Sequence, residues 1–205
     1  MTYKKETVIN FTEKYGEICR ENDSVDKELF SEYGVKRGLC DLNGKGVVTG
    51  ITNISRIESS EIIDGKSVPC AGKLYYRGYS IQDLVKGFMS EGRYGFEETA
   101  YLLLFGQLPD QDNLKEFKEM LAISRRLPTN FVRDVIMKAP SSDIMNSLTK
   151  SVLTLASYDK HVSDTSLENV VRQCIMLIAL FPVLSVYGFQ AYNHYKKNKS
   201  LYIHR

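Results

Sequence analysis

The sequence lacks an excess of charge of either sign. Its 205 residues contain 27 Lys and Arg against 25 Asp and Glu, which gives a formal charge of +2 and a pI near 8.2. Proteins that bind nucleic acid through their overall charge carry basic residues in clear excess and in clusters. We therefore expect no nucleic-acid partner, and the 43% apolar content is that of an ordinary globular chain.

The chain also lacks the paired cysteines of disulfide frameworks and zinc sites. Its four cysteines, at positions 19, 40, 70 and 174, lie far apart and form no Cys-x-x-Cys pair. The first residues lead into polar sequence and do not resemble a secretory signal. We expect reduced thiols and a cytoplasmic location, because disulfides persist mainly in oxidising compartments.

Histidine is scarce and is not spaced for metal binding. His161, His194 and His204 have no second histidine or cysteine three or four positions away, so no metal site is predicted. A Cys-His-Asp set could combine a cysteine with His161 and Asp159, but nothing in the local sequence would activate the thiol. We predict no nucleophilic site here.

Two other patterns are weak candidates for chemistry. The glycine-rich segment 44–50 resembles a phosphate-binding loop, but such a loop needs a strand before it and a helix after it, and neither is predicted. Glu58 with Glu61, and Glu97 with Glu98, are neighbouring carboxylates that acid–base catalysis could use only if their pKa values differed. Glu97 and Glu98 lie in the first turn of a predicted helix, where negative charge is favourable, and this explains their presence there. The residues alone therefore indicate no active site.

The pattern that is present is helical, apart from residues 34–79. That region holds eight of the 14 glycines, runs of Val, Ile and Thr, and turn signals at Asn43-Gly44 and Asp64-Gly65, which favour short strands or extended arms. We predict a helical segment over 1–33, an extended arm over 34–79 and a helical part over 80–205. Capping and periodicity place helices in the last part at 80–89, 96–105, 110–124, 130–138, 144–157 and 166–197.

The last of these helices contains a long stretch without charge, Gln173–Tyr195. Only residues 174–189 are continuously apolar or weakly polar, and 16 residues at about 1.5 Å each span roughly 24 Å, short of the ~30 Å hydrocarbon core. Pro182 lies in the middle and predicts a kink. We expect no membrane span. A helix that is apolar on all sides needs cover on all sides, so we expect a second copy of the chain as partner.

Four phrases occur in a fixed order along the chain. They are Tyr33-Gly34-Val35-Lys36-Arg37-Gly38-Leu39, the segments 46–52 and 72–81, and Phe96-Glu97-Glu98-Thr99-Ala100-Tyr101-Leu102-Leu103-Leu104-Phe105-Gly106-Gln107-Leu108-Pro109. In this order they resemble the amino-terminal half of citrate synthases, over about residues 28–195. The resemblance implies an all-α, multi-helical large domain, present in part, and a homodimer formed through helices 144–157 and 166–197.

Citrate synthases condense acetyl-CoA with oxaloacetate, so the resemblance implies acetyl-CoA as substrate and coenzyme A as product, with no bound cofactor. The family's catalytic Asp and His residues lie in its later half. The resemblance therefore implies that this chain contributes no catalytic residue and is by itself an inactive amino-terminal fragment. It implies one ligand contact, Arg37, near a phosphate of coenzyme A, although a solvated arginine beside a flexible glycine is equally open. Arg77 is expected to be structural, holding a turn by hydrogen bonds.

Two alternatives stay open for the function. One is a fragment of a 2-methylcitrate synthase, and the other is a non-catalytic helical dimerisation module. The apolar residues of the final segment, 200–205, favour a fragment over a finished module. Contact between copies is expected to use Met145, Leu148, Val152 and the stretch 174–187, and dimer and hexamer remain equally open.

Overall fold

A computed structural model describes residues 5–36, 40 and 46–202 of the chain. Within these residues the predicted class is confirmed, because helices dominate and only one small sheet is present. The elements in chain order are α1 Lys5–Asn22, α2 Lys27–Glu32, β1 Ser55–Ile63, β2 Lys66–Tyr76, β3 Tyr79–Ser80, α3 Ile81–Ser90, α4 Phe96–Phe105, α5 Gln111–Ser124, a π-helix Val132–Met137, α6 Ile144–Ala156 and α7 Leu167–Lys197.

The signals that predict the end of α4 and the start of α5 are confirmed. Gly106 ends α4 in the left-handed conformation, with φ of 77°, and its N–H donates to the carbonyl of Leu102. Glycine adopts this conformation without a side-chain clash, which is why it ends helices so often. The Asp110 carboxylate accepts the N–H of Asn113 at 2.8 Å and so caps α5.

Two helix starts differ from the prediction. The Thr-x-x-Glu pattern at residues 165–168 predicts a capping box, but the N-cap of α7 is Ser166, whose side chain makes no capping hydrogen bond. The Asp164 carboxylate accepts the N–H of Ser166 at 2.9 Å in a local turn, and α7 has its N-cap one residue after Thr165. Ser80 is likewise the N-cap residue of α3 without a side-chain hydrogen bond.

The helix predicted over residues 130–138 is a π-helix instead of an α-helix. Asn130 has φ of 63°, a left-handed conformation that cannot belong to the helix, so regular turns begin after it. The π-helix occupies Val132–Met137. Such wide turns are rare and often occur at functional sites.

The extended region contains an antiparallel hairpin. Strands β1 and β2 pair from Ser55 with Tyr76 to Ile63 with Lys66, with an irregular register between Glu58 and Ser60, and β3 pairs with the end of β2. The predicted turn at Asp64-Gly65 is confirmed, since both residues have positive φ, 51° and 74°, as a two-residue hairpin turn requires. The other predicted turn, Asn43-Gly44, lies outside the described residues. Residues 47–54 form no helix or strand.

The chain divides into two compact units, each with its own buried residues. One contains residues up to Gly16 together with residues from Glu116 onward, and the other contains Glu17–Lys115. In the first, α6 and α7 pack together around a cluster formed by Phe131, Ile136, Leu155, Leu180, Leu184 and Ala191. In the second, the most buried apolar residues include Tyr101, Leu102 and Phe105 of α4. The predicted division at residues 33 and 79 stays a prediction.

Helix α7 runs for 31 residues and continues through Pro182. Its length and composition would allow it to cross a membrane, and one third of its most apolar 18-residue window is buried within the chain. Large apolar side chains remain exposed along it, namely Val170, Phe181, Val186 and Phe189. The described part of the chain therefore covers one side of α7 and leaves apolar surface on another.

Candidate functional site

Two of the phrases that carry the family resemblance, residues 72–81 and 96–109, meet at the side chain of Arg77. This residue follows β2, and its guanidinium donates to the carbonyl of Leu103 in α4 at 3.0 Å and to the Asn53 side-chain carbonyl at 2.9 Å. It also forms an ion pair with Asp23 just after α1. The side chain is only 4% exposed. Four segments far apart in sequence are therefore held by one buried cation.

Backbone contacts around Arg77 complete this arrangement. The N–H of Arg77 donates to the carbonyl of Ile54 at 2.8 Å, and the Asn53 side-chain amide donates to the carbonyl of Asn22 at 2.8 Å. The Asn22 side chain in turn donates to the carbonyl of Phe105 at 2.8 Å. Because the end of α1 and the end of α4 each leave carbonyls without helical partners, these contacts satisfy groups that would otherwise lack hydrogen bonds.

Arg77 therefore has a structural role, and that prediction is confirmed. Both terminal nitrogens of the guanidinium are engaged by groups of the chain itself, and the remaining donor, Nε, is buried without a hydrogen-bond partner among the described residues. The residue also has φ of 48°, a conformation that costs free energy in a non-glycine residue. A guanidinium whose two terminal nitrogens are bound by the chain and whose Nε is buried is not available to bind a phosphate or a carboxylate.

Arg37, the one predicted ligand contact, lies outside the described residues. Among the described residues nearby, the N–H of Lys36 donates to the carbonyl of Val48 at 2.8 Å, and Cys40 pairs with Gly46 as an isolated antiparallel bridge. No helix follows Gly46 to Ile54, so these residues do not have the geometry of a dinucleotide-binding loop.

The described histidines occupy structural positions. His161 is exposed in the connection between α6 and α7, where its N–H donates to the Asp159 carboxylate at 3.0 Å. The ring of His194, at the end of α7, lies 3.0 Å from the carbonyl of Lys199. No group of three His, Cys, Asp or Glu residues that could hold a metal ion occurs among the described residues. His204 lies outside them.

Asp159 belongs to a buried network that the sequence did not suggest. Its carboxylate is bound by the Arg172 guanidinium at 2.6 Å, and Arg172 also donates to the Asn169 side chain at 2.8 Å. The Asn169 amide then donates to the carbonyls of His161 and Asp164, at 2.8 and 2.6 Å. Burial raises the pKa of the Asp159 carboxyl, but the hydrogen bonds from Arg172, the His161 N–H and Gln173 outweigh it and hold that pKa below its usual value. The network joins the α6–α7 connection to the first turns of α7.

The remaining candidates for chemistry are also engaged elsewhere. Burial raises the pKa of the Cys174 thiol, which is the opposite of activation as a nucleophile. Glu98 is paired with Arg93 at 2.6 Å. On the hairpin, Lys73 lies 3.1 Å from Glu61 and 3.9 Å from Glu58, and the hydrogen bond to Glu61 is the largest of the effects that raise the pKa of Lys73. These carboxylates therefore stabilise local structure.

Comparison with known proteins supports the family resemblance that the sequence phrases indicate. A family model described as "Citrate synthase, C-terminal domain" matches residues 39–204. A citrate synthase of Saccharolobus solfataricus is 32% identical over 151 residues, and a 2-methylcitrate synthase of Corynebacterium glutamicum is 28% identical over 129 residues. These matches cover 73% and 63% of this chain but only 34% and 28% of the two relatives, so the chain spans about a third of their length.

Solved structures show the same fold. The citrate synthase of Pyrobaculum aerophilum superposes with a TM-score of 0.58 at 22% identity, over 83% of this chain and 42% of that one. The family model matches most of the chain, and the matched residues include Arg77 and its partner Leu103. The chain belongs to the citrate synthase family.

Proposed function

We propose that a protein carrying this chain condenses acetyl-CoA with oxaloacetate to give citrate and coenzyme A. The observation that carries the proposal is the family match over residues 39–204. In this reaction the acetyl methyl carbon loses a proton and forms a bond to the keto carbon of oxaloacetate. Water then cleaves the thioester, so that coenzyme A leaves as the free thiol.

The chain's own share in this reaction is proposed to be structural. Forming the enolate of a thioester requires a positioned base and hydrogen-bond donors for the developing oxyanion. His161 and His194 lie in a loop and at a helix end, where each makes contacts with nearby backbone or side-chain groups. The chain spans about a third of its curated relatives. On these grounds we propose that the 205 residues alone do not catalyse condensation.

A second candidate is 2-methylcitrate formation. It is supported by the 28% identity with a 2-methylcitrate synthase of Corynebacterium glutamicum, close to the 32% identity with a citrate synthase. The product differs by one methyl group, so the acyl donor would be propanoyl-CoA. One additional methyl group is worth only about 1–3 kcal/mol of discrimination in an apolar pocket, so a few side chains decide the preference.

The test measures release of the coenzyme A thiol with oxaloacetate and either acetyl-CoA or propanoyl-CoA. The purified 205-residue chain is expected to give no turnover above a heat-denatured control. The DNA downstream of codon 205 is read for an in-frame continuation, and the longer product is assayed in the same way. Turnover by the 205-residue chain would contradict the structural role. A longer product that folds and releases no thiol with either donor would contradict the condensing activity and favour a dimerisation module.

The coenzyme A contact is proposed to include Arg37. A guanidinium suits a phosphate because its donors form a fixed fork. The place of Arg37 in the phrase 33–39, which resembles citrate synthases, supports the proposal. In an active longer protein, Arg37→Ala is expected to weaken coenzyme A binding about tenfold. Unchanged affinity would show that Arg37 is a solvated side chain.

We also propose that the chain forms a homodimer through α6 and α7. Leu148 and Val152, which were expected at the contact between copies, pack against the core cluster of their own chain. Met145 and Leu153 point away from that cluster and are each 68% exposed. Together with the exposed apolar residues of α7, they form an uncovered surface on adjacent helices. Burial of this surface would contribute about 25 cal/mol per Å².

A further inference from the structure

A cavity beside the π-helix has the features of a small-molecule site. It has a volume of about 420 Å³ and lies between the π-helix and its preceding loop on one side and α7 on the other. This volume is within the range of about 300–1,000 Å³ that is typical of ligand pockets. The residues of the cavity that matter here are Arg125, Asn130, Phe131, Arg133, Val183 and Tyr187.

The polar groups that line this cavity are cationic or neutral. Arg125 and Arg133 lie at the cavity, and no carboxylate occurs among its lining residues. Arg133 is bound by the neighbouring Asp134 through two contacts of 2.8 Å. Arg125 makes no ion pair or hydrogen bond with any described residue, so its guanidinium is available. An available guanidinium without a competing carboxylate favours an anion.

Two neutral polar groups are available as well. The Asn130 side-chain amide and the Tyr187 hydroxyl line the cavity without hydrogen bonds to other described residues. Asn130 holds its backbone at φ of 63°, and the following residues form the π-helix. Unusual backbone conformations and π-helices cluster at functional sites because the surrounding structure has to maintain them.

The cavity also has an aromatic lining residue on a buried base. Phe131 is 1% exposed and belongs to the core cluster, and Tyr187 packs against the same cluster while it lines the cavity. Phe131 also makes an edge-to-face contact with Tyr158, with the ring centroids 5.9 Å apart. The partly exposed ring of Tyr187 next to an available guanidinium suits a ligand with an aromatic body and one anionic group.

The cavity is separate from the surface proposed for dimerisation. Val183 and Tyr187 are four residues apart and share one face of α7. Phe181 and Phe189 are displaced from them by two residues, which on an α-helix places them on the other side. An occupant of the cavity would therefore not compete with a second copy bound at Phe181 and Phe189.

We infer that this cavity binds a small aromatic anion, with its carboxylate or phosphate at Arg125 and Asn130 and its ring against Tyr187. The inference does not depend on the proposed condensing activity. It concerns residues 125–187 only, and it holds whether or not a protein carrying this chain is a catalyst.

The test uses the 205-residue chain and four probes: benzoate, phenyl phosphate, neutral benzyl alcohol and inorganic phosphate. Titration followed by NMR is expected to give benzoate and phenyl phosphate dissociation constants of about 1 mM, a reasonable value for ligands of this size. Benzyl alcohol and inorganic phosphate are each expected to bind at least about fivefold more weakly, because each lacks one of the two recognised features.

Two adjacent arginines supply the matched control. Arg125 lines the cavity and Arg126 does not, yet both are exposed and have the same charge. Arg125→Gln is expected to weaken benzoate binding about fivefold, whereas Arg126→Gln leaves it within about twofold. Asn130→Gly, which keeps the positive φ accessible, should weaken benzoate binding as well.

Three results would overturn the inference. The first is no binding of benzoate or phenyl phosphate at about 10 mM. The second is equal weakening by Arg125→Gln and Arg126→Gln, which would show attraction to surface charge without a site. The third is equal affinity for phenyl phosphate and inorganic phosphate, which would show that the Tyr187 ring takes no part.

Discussion

The guanidinium of Arg77 donates a hydrogen bond of 3.0 Å to the main-chain carbonyl of Leu103. This contact ties the turn after β2 to the last part of α4, although 26 residues separate the two in sequence. The same guanidinium binds Asn53 and Asp23. One side chain therefore links the phrase 72–81 to the phrase 96–109 and to the segments around Asp23 and Asn53.

Arg77→Lys should destabilise the chain by about 2–3 kcal/mol, since hydrogen bonds to charged groups are worth about 1.5–3 kcal/mol and lysine cannot replace the planar fork of donors. Chemical unfolding measured by circular dichroism gives the free energy. Arg56→Lys is the control, because Arg56 lies on the neighbouring hairpin and its side chain is 66% exposed. If both variants had the same stability, Arg77 would have no special structural role.

Gly65→Ala should loosen the β1–β2 hairpin without unfolding the rest of the chain. Gly65 has φ of 74°, and an alanine in the left-handed region costs about 1–2 kcal/mol. Faster amide hydrogen exchange confined to residues 55–76 is the expected result. Gly50→Ala is the matched control, because that glycine has no positive φ and no neighbouring atom within 4 Å of an added methyl group. Equal exchange in the two variants would contradict the role assigned to the turn.

Signals within a few residues of one another predicted most of the helices. The stop at Gly106, the cap at Asp110 and the turn at Asp64-Gly65 each depend on local chemistry, and each occurs where expected. The prediction of a capping box at 165–168 is wrong, because α7 has its N-cap at Ser166, one residue after Thr165, and the Ser166 N–H is bound by the Asp164 carboxylate.

Contacts between distant residues could not be predicted in the same way. The partners of Arg77 lie 24, 26 and 54 residues away, so no spacing rule indicates them. The same holds for Arg172 with Asp159, 13 residues apart across a loop. The cavity beside the π-helix depends on the left-handed conformation of Asn130, which its sequence position alone did not reveal. The structural role of Arg77 was expected from the family resemblance, but its partners were not.

The Asp159–Arg172 pair should make stability depend on acid pH. The folded chain holds the pKa of Asp159 below its usual value, because hydrogen bonds from Arg172 and other donors outweigh the effect of burial. A carboxyl with a lowered folded pKa stabilises the fold fully above its unfolded pKa of about 3.9, and this contribution is lost as the pH falls through the folded value. We therefore expect the pair to stabilise the chain at neutral pH and to lose its effect below about pH 4.

Asp159→Asn tests this dependence. The variant should be less stable at pH 7 by about 2 kcal/mol, because a carboxylate that is 10% exposed and bound to Arg172 is lost. The stability difference from the unmodified chain should shrink as the pH falls below about 4. Glu119→Gln, at an exposed position of α5, should change neither the stability at pH 7 nor its dependence on pH. A stability difference that stayed constant from pH 7 to about pH 3 would show that the Asp159 charge contributes nothing.

Replacing exposed phenylalanines of α7 should prevent association. Phe181 and Phe189 are 44% and 48% exposed on a helix that is otherwise rich in apolar residues. Two aromatic side chains at the centre of an interface contribute about 2 kcal/mol each, so the double variant Phe181→Ser with Phe189→Ser should raise the dimer dissociation constant at least about a hundredfold. Sedimentation velocity over a range of concentrations measures this change.

A matched double variant separates this surface from general hydrophobic association. Ile62→Ser with Tyr94→Ser removes two apolar side chains that are 81% and 91% exposed and that belong to neither α6 nor α7. This variant should remain dimeric, because non-specific association depends on exposed apolar area, whereas a specific interface depends on the position of the side chains.

The unmodified chain is also mixed with phosphatidylcholine vesicles, because α7 is long and apolar enough to cross a membrane. A chain that is monomeric at high concentration, or that enters the vesicles as a monomer, would contradict the proposed homodimer.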